Sequence, residues 1–369
     1  MRYFNVQFSA SNRKKERSTM KGVIYADAMG FLIPQKSHLE HSLTAAIDPD
    51  IALHVCHTTM SPPFTEWMGE GYAHFHQVLA EVRWFRSFLA AQQHAQLVET
   101  RGDLLHPLHP DKIRVIGGLQ YPPRFLSGDR VQMLRDAGVF FMTLAYHRES
   151  DYGGGFALDA DEDIGLTEKG RQLLRWMAEA GMVLDLSHAS ARTAREALDF
   201  IIRTGLPLAV SATHTGCFEA YDHPRNLPKE ILRRIREMDG FVGLYTLTFG
   251  LDPDDNSLRP FFRHLVHLRA ELGDDYLGIG SDGIYLRQSQ EATLANDEVL
   301  KQKLDPTGDF RSRSPDQPVI LNTPRRMEVM FQEINHAFNQ HTLNPEDWPE
   351  FVRKLTGENF FNFLQRAMR

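Results

Sequence analysis

The stretch from Met182 to Ser190, Met-Val-Leu-Asp-Leu-Ser-His-Ala-Ser, indicates the fold of this chain. Its apolar residues form a short run typical of a buried parallel strand. Asp185, Ser187 and His188 follow where that strand should end and its loop begin. Polar side chains at the carboxyl end of a barrel strand are typical of an active site. Taken alone, a histidine at position 188 would more often cap the helix that starts near Ser190 than bind a metal.

On either side of this stretch, short β runs alternate with amphipathic helical patterns. About eight strands separated by helices are the count of a (β/α)8 TIM barrel in the α/β class. An open doubly wound sheet is the main alternative, but no Gly-rich phosphate loop follows the first strand. The predicted strands are Gly22 to Tyr25, Ile51 to His57, Ile113 to Ile116, Val139 to Leu144, Met182 to Leu186, Leu208 to Ser211, Phe241 to Tyr245 and Leu277 to Gly280. The clearest predicted helices are Gly71 to Gln93, Asp129 to Ala137, Thr167 to Ala180, Ser190 to Arg203, Pro228 to Met238 and Arg259 to Leu272.

The predicted organisation is one large domain. We expect an N-terminal extension over residues 1–21 and a single barrel over residues 22–369, which ends in a C-terminal helical segment. Two polar stretches, residues 148–164 and 283–322, are too long for ordinary connections and are predicted as loops. Both follow strands, so both should lie on the face where a barrel binds its substrate.

The composition excludes several classes of protein. The 369 residues are 42% hydrophobic and 24% charged, with a net charge of -7, so no basic surface for nucleic acid or anionic lipid is expected. Two cysteines cannot form a disulfide framework. No apolar run reaches the roughly 18 residues of a membrane span, and no signal-peptide core opens the chain. The sequence therefore predicts a cytoplasmic protein with a small-molecule substrate.

Three potential metal ligands follow different strands. His188 ends the fifth strand, His214 lies just after the sixth, and Asp282 follows the eighth. In a barrel these side chains converge on one mouth, as the imidazole and carboxylate ligands of Zn²⁺ do in metallohydrolases. A bound metal would lower the pKa of its water and polarise a carbonyl oxygen.

Several ordered motifs resemble those of the membrane (renal) dipeptidase family of zinc peptidases, family M19. The resemblance runs from about Lys112 to the C-terminus and is weaker before it. The motifs are Gly165-Leu-Thr-Glu-Lys-Gly170, the strand ending in Asp-Leu-Ser-His188, His223-Pro-Arg-Asn226, Gly-Ile-Gly-Ser-Asp282 and Leu355-Thr-Gly-Glu-Asn-Phe360.

This resemblance implies a (β/α)8 barrel that carries two zinc ions and hydrolyses dipeptides. His188 and His214 fall on the two histidines that hold the second zinc. Asp282 falls on the aspartate that binds the first zinc and takes part in proton transfer, so Asp282 and His188 are the expected catalytic residues. Arg225 falls on the arginine that receives the substrate carboxylate. Members of the family often dimerise, so a homodimer is expected.

A further family position contacts the substrate. The family has a histidine there, after the fourth strand. In this chain that place is taken by Tyr146, with His147 beside it. Both are candidate substrate-binding residues.

The first half of the chain departs from the family pattern. Asp27 and Met29 replace the His-x-Asp pair that binds the first zinc, and Leu119 or Gln120 stands where a glutamate bridges the two metals. Without an anion between them, two divalent cations repel each other strongly. We therefore predict about one zinc per chain, held by the two histidines with Asp282 or Asp27.

Two functions are consistent with these residues. The first is a metallohydrolase that uses a metal-activated water on a dipeptide or another small carboxylated amide. The second is a metal-free barrel that binds a small carboxylated metabolite through Arg225, or runs acid and base chemistry with the retained side chains.

Overall fold

The computed structural model describes residues 24–32, 47–48, 50–61, 74–106, 112–285, 317–340 and 348–368. The predicted N-terminal extension, residues 1–21, and most of the predicted loop 283–322 lie outside these residues.

Eight parallel strands form a nearly closed barrel, which confirms the predicted fold. The described strands are β1 Ala26–Asp27, β2 Gly30–Phe31, β3 Val55–Thr59, β4 Ala95–Leu97, β5 Ile113–Leu119, β6 Val139–Thr143, β7 Val183–Asp185, β8 Ala209–Thr215, β9 Phe241–Leu244, β10 Leu277–Ile279 and β11 Gly283–Ile284. The barrel order is β1-β3-β5-β6-β7-β8-β9-β10, and β4 pairs with β5 outside that path. The ring closes where the Ala28 N–H donates to the carbonyl of Ile279 at 2.8 Å.

Helices lie between the strands, and local caps fix several of their first residues. Ser127, Thr167 and Ser190 each accept a hydrogen bond from a backbone N–H in the first turn that follows. Among the described helices, none combines the length and the apolarity needed to cross a bilayer. The helices are α1 Phe75–Ala90, α2 Arg101–Leu105, α3 Gly128–Asp136, α4 Glu168–Glu179, α5 Ala191–Thr204, α6 Lys229–Glu237, α7 Thr248–Leu251, α8 Arg259–Leu272, α9 Arg326–Gln340, α10 Trp348–Arg353 and α11 Asn359–Ala367, with a 3-10 turn at Val319–Leu321 and a π-helical turn at Lys354–Glu358.

The structure adds short strands that the sequence pattern did not predict. The first described strand begins at Ala26, after the predicted Gly22 to Tyr25. The strand β4 contains only three residues and pairs along one edge, so it carries no clear alternation. The parallel pair β2 and β11 is shorter still, and β11 lies within the predicted loop 283–322.

Aromatic side chains close the amino-terminal end of the barrel. The rings of Phe241 and Phe360 lie 5.0 Å apart, and those of Phe141 and Phe363 lie 6.3 Å apart. Two of these rings come from strands and two from the C-terminal helix α11, and they form one buried cluster. The C-terminal helix therefore seals this end, which leaves the carboxyl ends of the strands as the open mouth.

The β2 and β11 pair extends the seam between the first and last barrel strands toward that mouth. The Asp282 N–H donates to the carbonyl of Met29 at 2.8 Å, and Asp282 adopts a left-handed conformation with φ of 53°. A positive φ is uncommon for any residue other than glycine, although aspartate tolerates it better than most. The turn between β10 and β11 is thus fixed against the first strand.

Candidate active site

Two buried histidines face each other at the barrel mouth. His188 follows β7 and His214 lies on β8, and their Nε2 atoms are 2.9 Å apart. Burial, and then the neighbouring Arg225 guanidinium, lower the pKa of both imidazoles well below the ordinary value. Both rings are therefore neutral at physiological pH, the form in which imidazole binds metals.

The Arg225 side chain is buried beside this pair. Its guanidinium donates to the carbonyl of Ser187 and lies 3.2 Å from His188 Nε2. The rings of Phe156 and Tyr245 flank it, each with its centroid 5.5 Å from the guanidinium carbon. Among the described residues, no carboxylate oxygen lies within 4.0 Å of this cation. Because guanidinium stays charged in proteins, the mouth contains a fixed positive charge suited to an anionic ligand.

The Asp282 carboxylate lies near His214. Its Oδ1 is 4.0 Å from His214 Nε2. Burial raises the pKa of Asp282 to about 6. The Arg225 charge and a hydrogen bond from Gln120 lower this pKa, whereas the Asp27 carboxyl raises it further. A carboxyl group with such a pKa is mostly ionised at neutral pH and can accept and return a proton.

Hydrogen bonds occupy the Asp27 carboxylate. Its Oδ1 accepts from the backbone N–H groups of Met29 and Ser281, at 3.0 and 2.8 Å. Its Oδ2 accepts from the Ser281 hydroxyl at 2.5 Å and the Tyr285 phenol at 2.6 Å. With four donors on two oxygens, Asp27 ties the first strand to the last. These hydrogen bonds give Asp27 a structural role, and the metal-ligand role expected of it stays a prediction.

The donor set fits one metal ion better than two. Ligand atoms about 2.0–2.1 Å from a tetrahedral zinc lie about 3.3 Å apart, which is close to the separation of the two histidine nitrogens. Within the described part of the chain, no group of three His, Cys, Asp or Glu side chains is already arranged to hold a metal. Asp282 Oδ1, at 4.0 Å from His214 Nε2, lies farther away than two ligands of one zinc ion would. The neutral Gln120 amide, with Nε2 3.5 Å from His214 Nε2, cannot replace a bridging carboxylate.

Aromatic residues form the wall around His188. The Tyr146 ring stacks on the His188 ring with centroids 4.1 Å apart, and burial raises the pKa of its phenol. The loop 148–164 reaches the same place, since the Phe156 N–H donates to the His188 carbonyl at 3.0 Å. The His147 ring packs edge-on against Phe156 at 4.7 Å. Tyr146 therefore contacts His188 directly, whereas His147 packs against the loop.

Sequence reasoning missed the partners that hold the site. Phe156 and Tyr245 were not predicted around Arg225, and Thr213, whose hydroxyl oxygen lies 2.8 Å from His214 Nδ1, was not singled out. Tyr245 ends a predicted strand and Thr213 precedes a predicted ligand, so position was the available signal. Phe156 offered none, because it lies within a polar loop.

The fold and the mouth define a class: a (β/α)8 barrel with a histidine, carboxylate and arginine site at the carboxyl ends of its strands. Residues 49–288 match the family model described as membrane dipeptidase, peptidase family M19. The chain belongs to this metal-dependent family.

Curated relatives include fungal dipeptidases. The chain is 29% identical over 150 residues to an uncharacterized dipeptidase of Schizosaccharomyces pombe, covering 40% of this chain and 36% of that protein. It is 28% identical over 158 residues to dipeptidase tcpJ of Claviceps purpurea, covering 42% and 36%. It is 27% identical over 224 residues to dipeptidase verJ of Clonostachys rogersoniana, covering 58% and 56%. The matches span about a third to a half of these relatives.

Solved structures share the fold over nearly the whole chain. An amidohydrolase from Pseudomonas aeruginosa superposes with a TM-score of 0.70 at 19% identity, covering 94% of this chain and 97% of that one. A metallo peptidase from Rhodobacter sphaeroides, liganded with a phosphinate mimic of the dipeptide L-Ala-D-Ala, gives a TM-score of 0.66 at 19% identity, covering 94% and 99%.

Proposed function

We propose that this protein hydrolyses dipeptides or other small carboxylated amides with a single zinc ion, held by His188, His214 and Asp282. The observation that carries the proposal is the convergence of two neutral imidazoles, one carboxylate and the buried Arg225 guanidinium on one barrel mouth. The curated dipeptidase relatives support the same reaction class.

Recognition of the substrate rests on Arg225 in this proposal. The guanidinium fork can bind a terminal carboxylate through two parallel hydrogen bonds. Phe156 and Tyr245 hold the guanidinium from two sides and exclude water, which strengthens the attraction between the two charges. Tyr146 covers the face of His188 and narrows the mouth toward small substrates.

Proton transfer rests on Asp282. A bound zinc ion would supply an activated water and would polarise the amide carbonyl. The Asp282 carboxylate can take the proton of the attacking water, and in its protonated form it can give that proton to the leaving amine. The place of Asp282 beside His214 suits this exchange.

The substrate preference tests the proposed activity. Zinc-loaded protein should hydrolyse dipeptides and lose activity with EDTA, and the same dipeptides with an amidated C-terminus should be much poorer substrates. The change Arg225→Gln should raise KM for the free acid at least tenfold, because a charged hydrogen bond is lost, while having little effect on the amide. The matched control is Arg195→Gln, which removes an exposed arginine paired with Glu230. Zinc-loaded protein that cleaves neither dipeptides nor N-acyl amino acids would refute the activity.

Metal content tests the predicted stoichiometry. Elemental analysis should find about one zinc per chain, and the variant His188→Ala should lose it. Two zinc ions per chain would contradict a mononuclear site and would require ligands other than those proposed. No zinc would refute the metalloenzyme.

One observation favours the second function, a metal-free barrel that binds a carboxylated metabolite. The Arg225 guanidinium lies 3.2 Å from His188 Nε2, the atom that a metal would need. Binding of a carboxylated metabolite that survives both EDTA and the change His188→Ala would support this function over hydrolysis. A thermal-shift screen of carboxylated metabolites against the EDTA-treated protein would show it.

Location and assembly also stay proposals. The described cysteines Cys56 and Cys217 are both buried and free, as expected in the reducing cytoplasm. A homodimer remains the expected assembly, and sedimentation of the purified protein would test it.

A further inference from the structure

A buried carboxylate lies behind the histidine pair. Asp185 is 2% exposed, and its Oδ1 accepts from the Ser187 N–H at 3.1 Å, the Ser187 hydroxyl at 2.5 Å and the Thr213 N–H at 3.0 Å. Its Oδ2 accepts from the Thr213 hydroxyl. Burying a carboxylate is costly unless its oxygens are hydrogen-bonded. Here four donors meet that need, and two of them come from the threonine next to His214.

The direction of these hydrogen bonds fixes the proton of His214. The Thr213 hydroxyl has a single proton and donates it to Asp185 Oδ2. The Thr213 oxygen, 2.8 Å from His214 Nδ1, must then accept from that nitrogen. A neutral imidazole carries one N–H. His214 therefore has its proton on Nδ1 and a lone pair on Nε2.

The same reasoning applies to His188. An Arg225 nitrogen lies 3.2 Å from His188 Nε2, and guanidinium can only donate, so His188 Nε2 also carries a lone pair. The two lone pairs face each other across 2.9 Å. Two acceptors at that distance repel unless a cation lies near both.

We propose that Asp185 and Thr213 are positioning residues: through the threonine hydroxyl they hold His214 in its Nδ1–H tautomer and so keep Nε2 for a metal ion. The consequence for metal binding rests on the proposed function, whereas the tautomer is a property of the metal-free protein. Ser187 links the same carboxylate to Arg225, because its N–H and hydroxyl donate to Asp185 and its carbonyl accepts from the guanidinium.

The first test is spectroscopic and uses metal-free protein. Long-range ¹H–¹⁵N correlation spectra of histidine-labelled protein at pH 7.5 distinguish Nδ1–H from Nε2–H, and the variant His214→Gln identifies the signal of His214. The expected result is a protonated Nδ1. A protonated Nε2 on His214 would overturn the proposal.

The second test removes the hydroxyl while keeping the side-chain shape. In Thr213→Val, the proton of His214 should move from Nδ1 to Nε2 in part of the molecules. Zinc binding should weaken 10- to 100-fold, the usual effect of removing a hydrogen-bond partner of a metal ligand. Thr213→Ser should restore both. The control Thr356→Val, another buried threonine whose hydroxyl donates to a carbonyl, should change neither. If Thr213→Val leaves the His214 tautomer and the zinc affinity unchanged, the positioning role of Asp185 and Thr213 is refuted.

The outcomes separate the two proposals. If the wild type has a protonated His214 Nδ1 but binds no zinc, the metalloenzyme is refuted and the positioning role of Asp185 and Thr213 is kept. If the wild type and Thr213→Val bind zinc equally well, the positioning role of Asp185 and Thr213 is refuted and the zinc site is kept.

Discussion

Replacing Asp282 with asparagine should stabilise the metal-free protein at neutral pH. Burial raises the pKa of Asp282 from 3.8 to about 6, so ionising it costs more in the folded state than in the unfolded state. Each pKa unit corresponds to about 1.36 kcal/mol, so the ionised carboxylate destabilises the fold by about 3 kcal/mol at pH 7.5. The asparagine side chain has nearly the same shape and carries no charge. Asp282→Asn should recover most of this free energy.

The sign of the effect reverses the usual behaviour of an aspartate. Between pH 3.8 and about 6 the folded state binds more protons at Asp282 than the unfolded state does, so stability falls as the pH rises. The advantage of Asp282→Asn should shrink from about 3 kcal/mol at pH 7.5 to about 1 kcal/mol at pH 4.5, as calculated from the same two pKa values.

Urea unfolding in EDTA, followed by circular dichroism at both pH values, measures this difference. The control is Asp161→Asn, an exposed aspartate of the long loop, whose stability should match the wild type at both values. If Asp282→Asn is no more stable than the wild type at pH 7.5, the conclusion that burial of the Asp282 charge destabilises the fold is refuted. Zinc should reduce the advantage, because a bound cation stabilises the ionised carboxylate.

Three further perturbations have expected outcomes. Phe363→Ala removes a ring that packs on Phe141 and Phe241, and should lower the free energy of unfolding by about 3–5 kcal/mol in urea; a loss below about 1 kcal/mol would contradict its role in closing the barrel. Gly118→Ala adds a methyl group against the His57 ring and should cost about 1–3 kcal/mol by the same measurement, whereas wild-type stability would show that the ring can move aside. Zinc at 100 times its Kd should raise the free energy of unfolding by about 2.7 kcal/mol, with EDTA reversing the change; an unchanged midpoint would count against a metal site.

The barrel itself could be predicted because its signals are local. Apolar runs of strand length alternate with amphipathic helices, and cap residues begin several of those helices. The helix α8 has the predicted bounds, Arg259 to Leu272, and α5 begins one residue after the predicted Ser190. The edge strand β4, with three residues and one paired side, carried too weak a pattern.

The candidate ligands were predictable for the same reason. His188, His214 and Asp282 each follow an apolar run, and parallel barrel strands end at one mouth. Membership of the M19 family confirms the class to which these positions point. Their ligand roles remain predictions.

The sequence by itself determined the barrel, the mouth and the residues that reach it, because strand periodicity and helix caps depend on neighbours in the chain. Only the tertiary structure decided what those residues touch. Asp27 and Ser281 are 254 positions apart, yet their hydrogen bonds use oxygens of Asp27 that a metal would need. Asp185 and Thr213 meet across two strands, where proton positions follow from donors and acceptors in space. Hydrogen bonds and burial act over a few ångströms, whatever the separation along the chain.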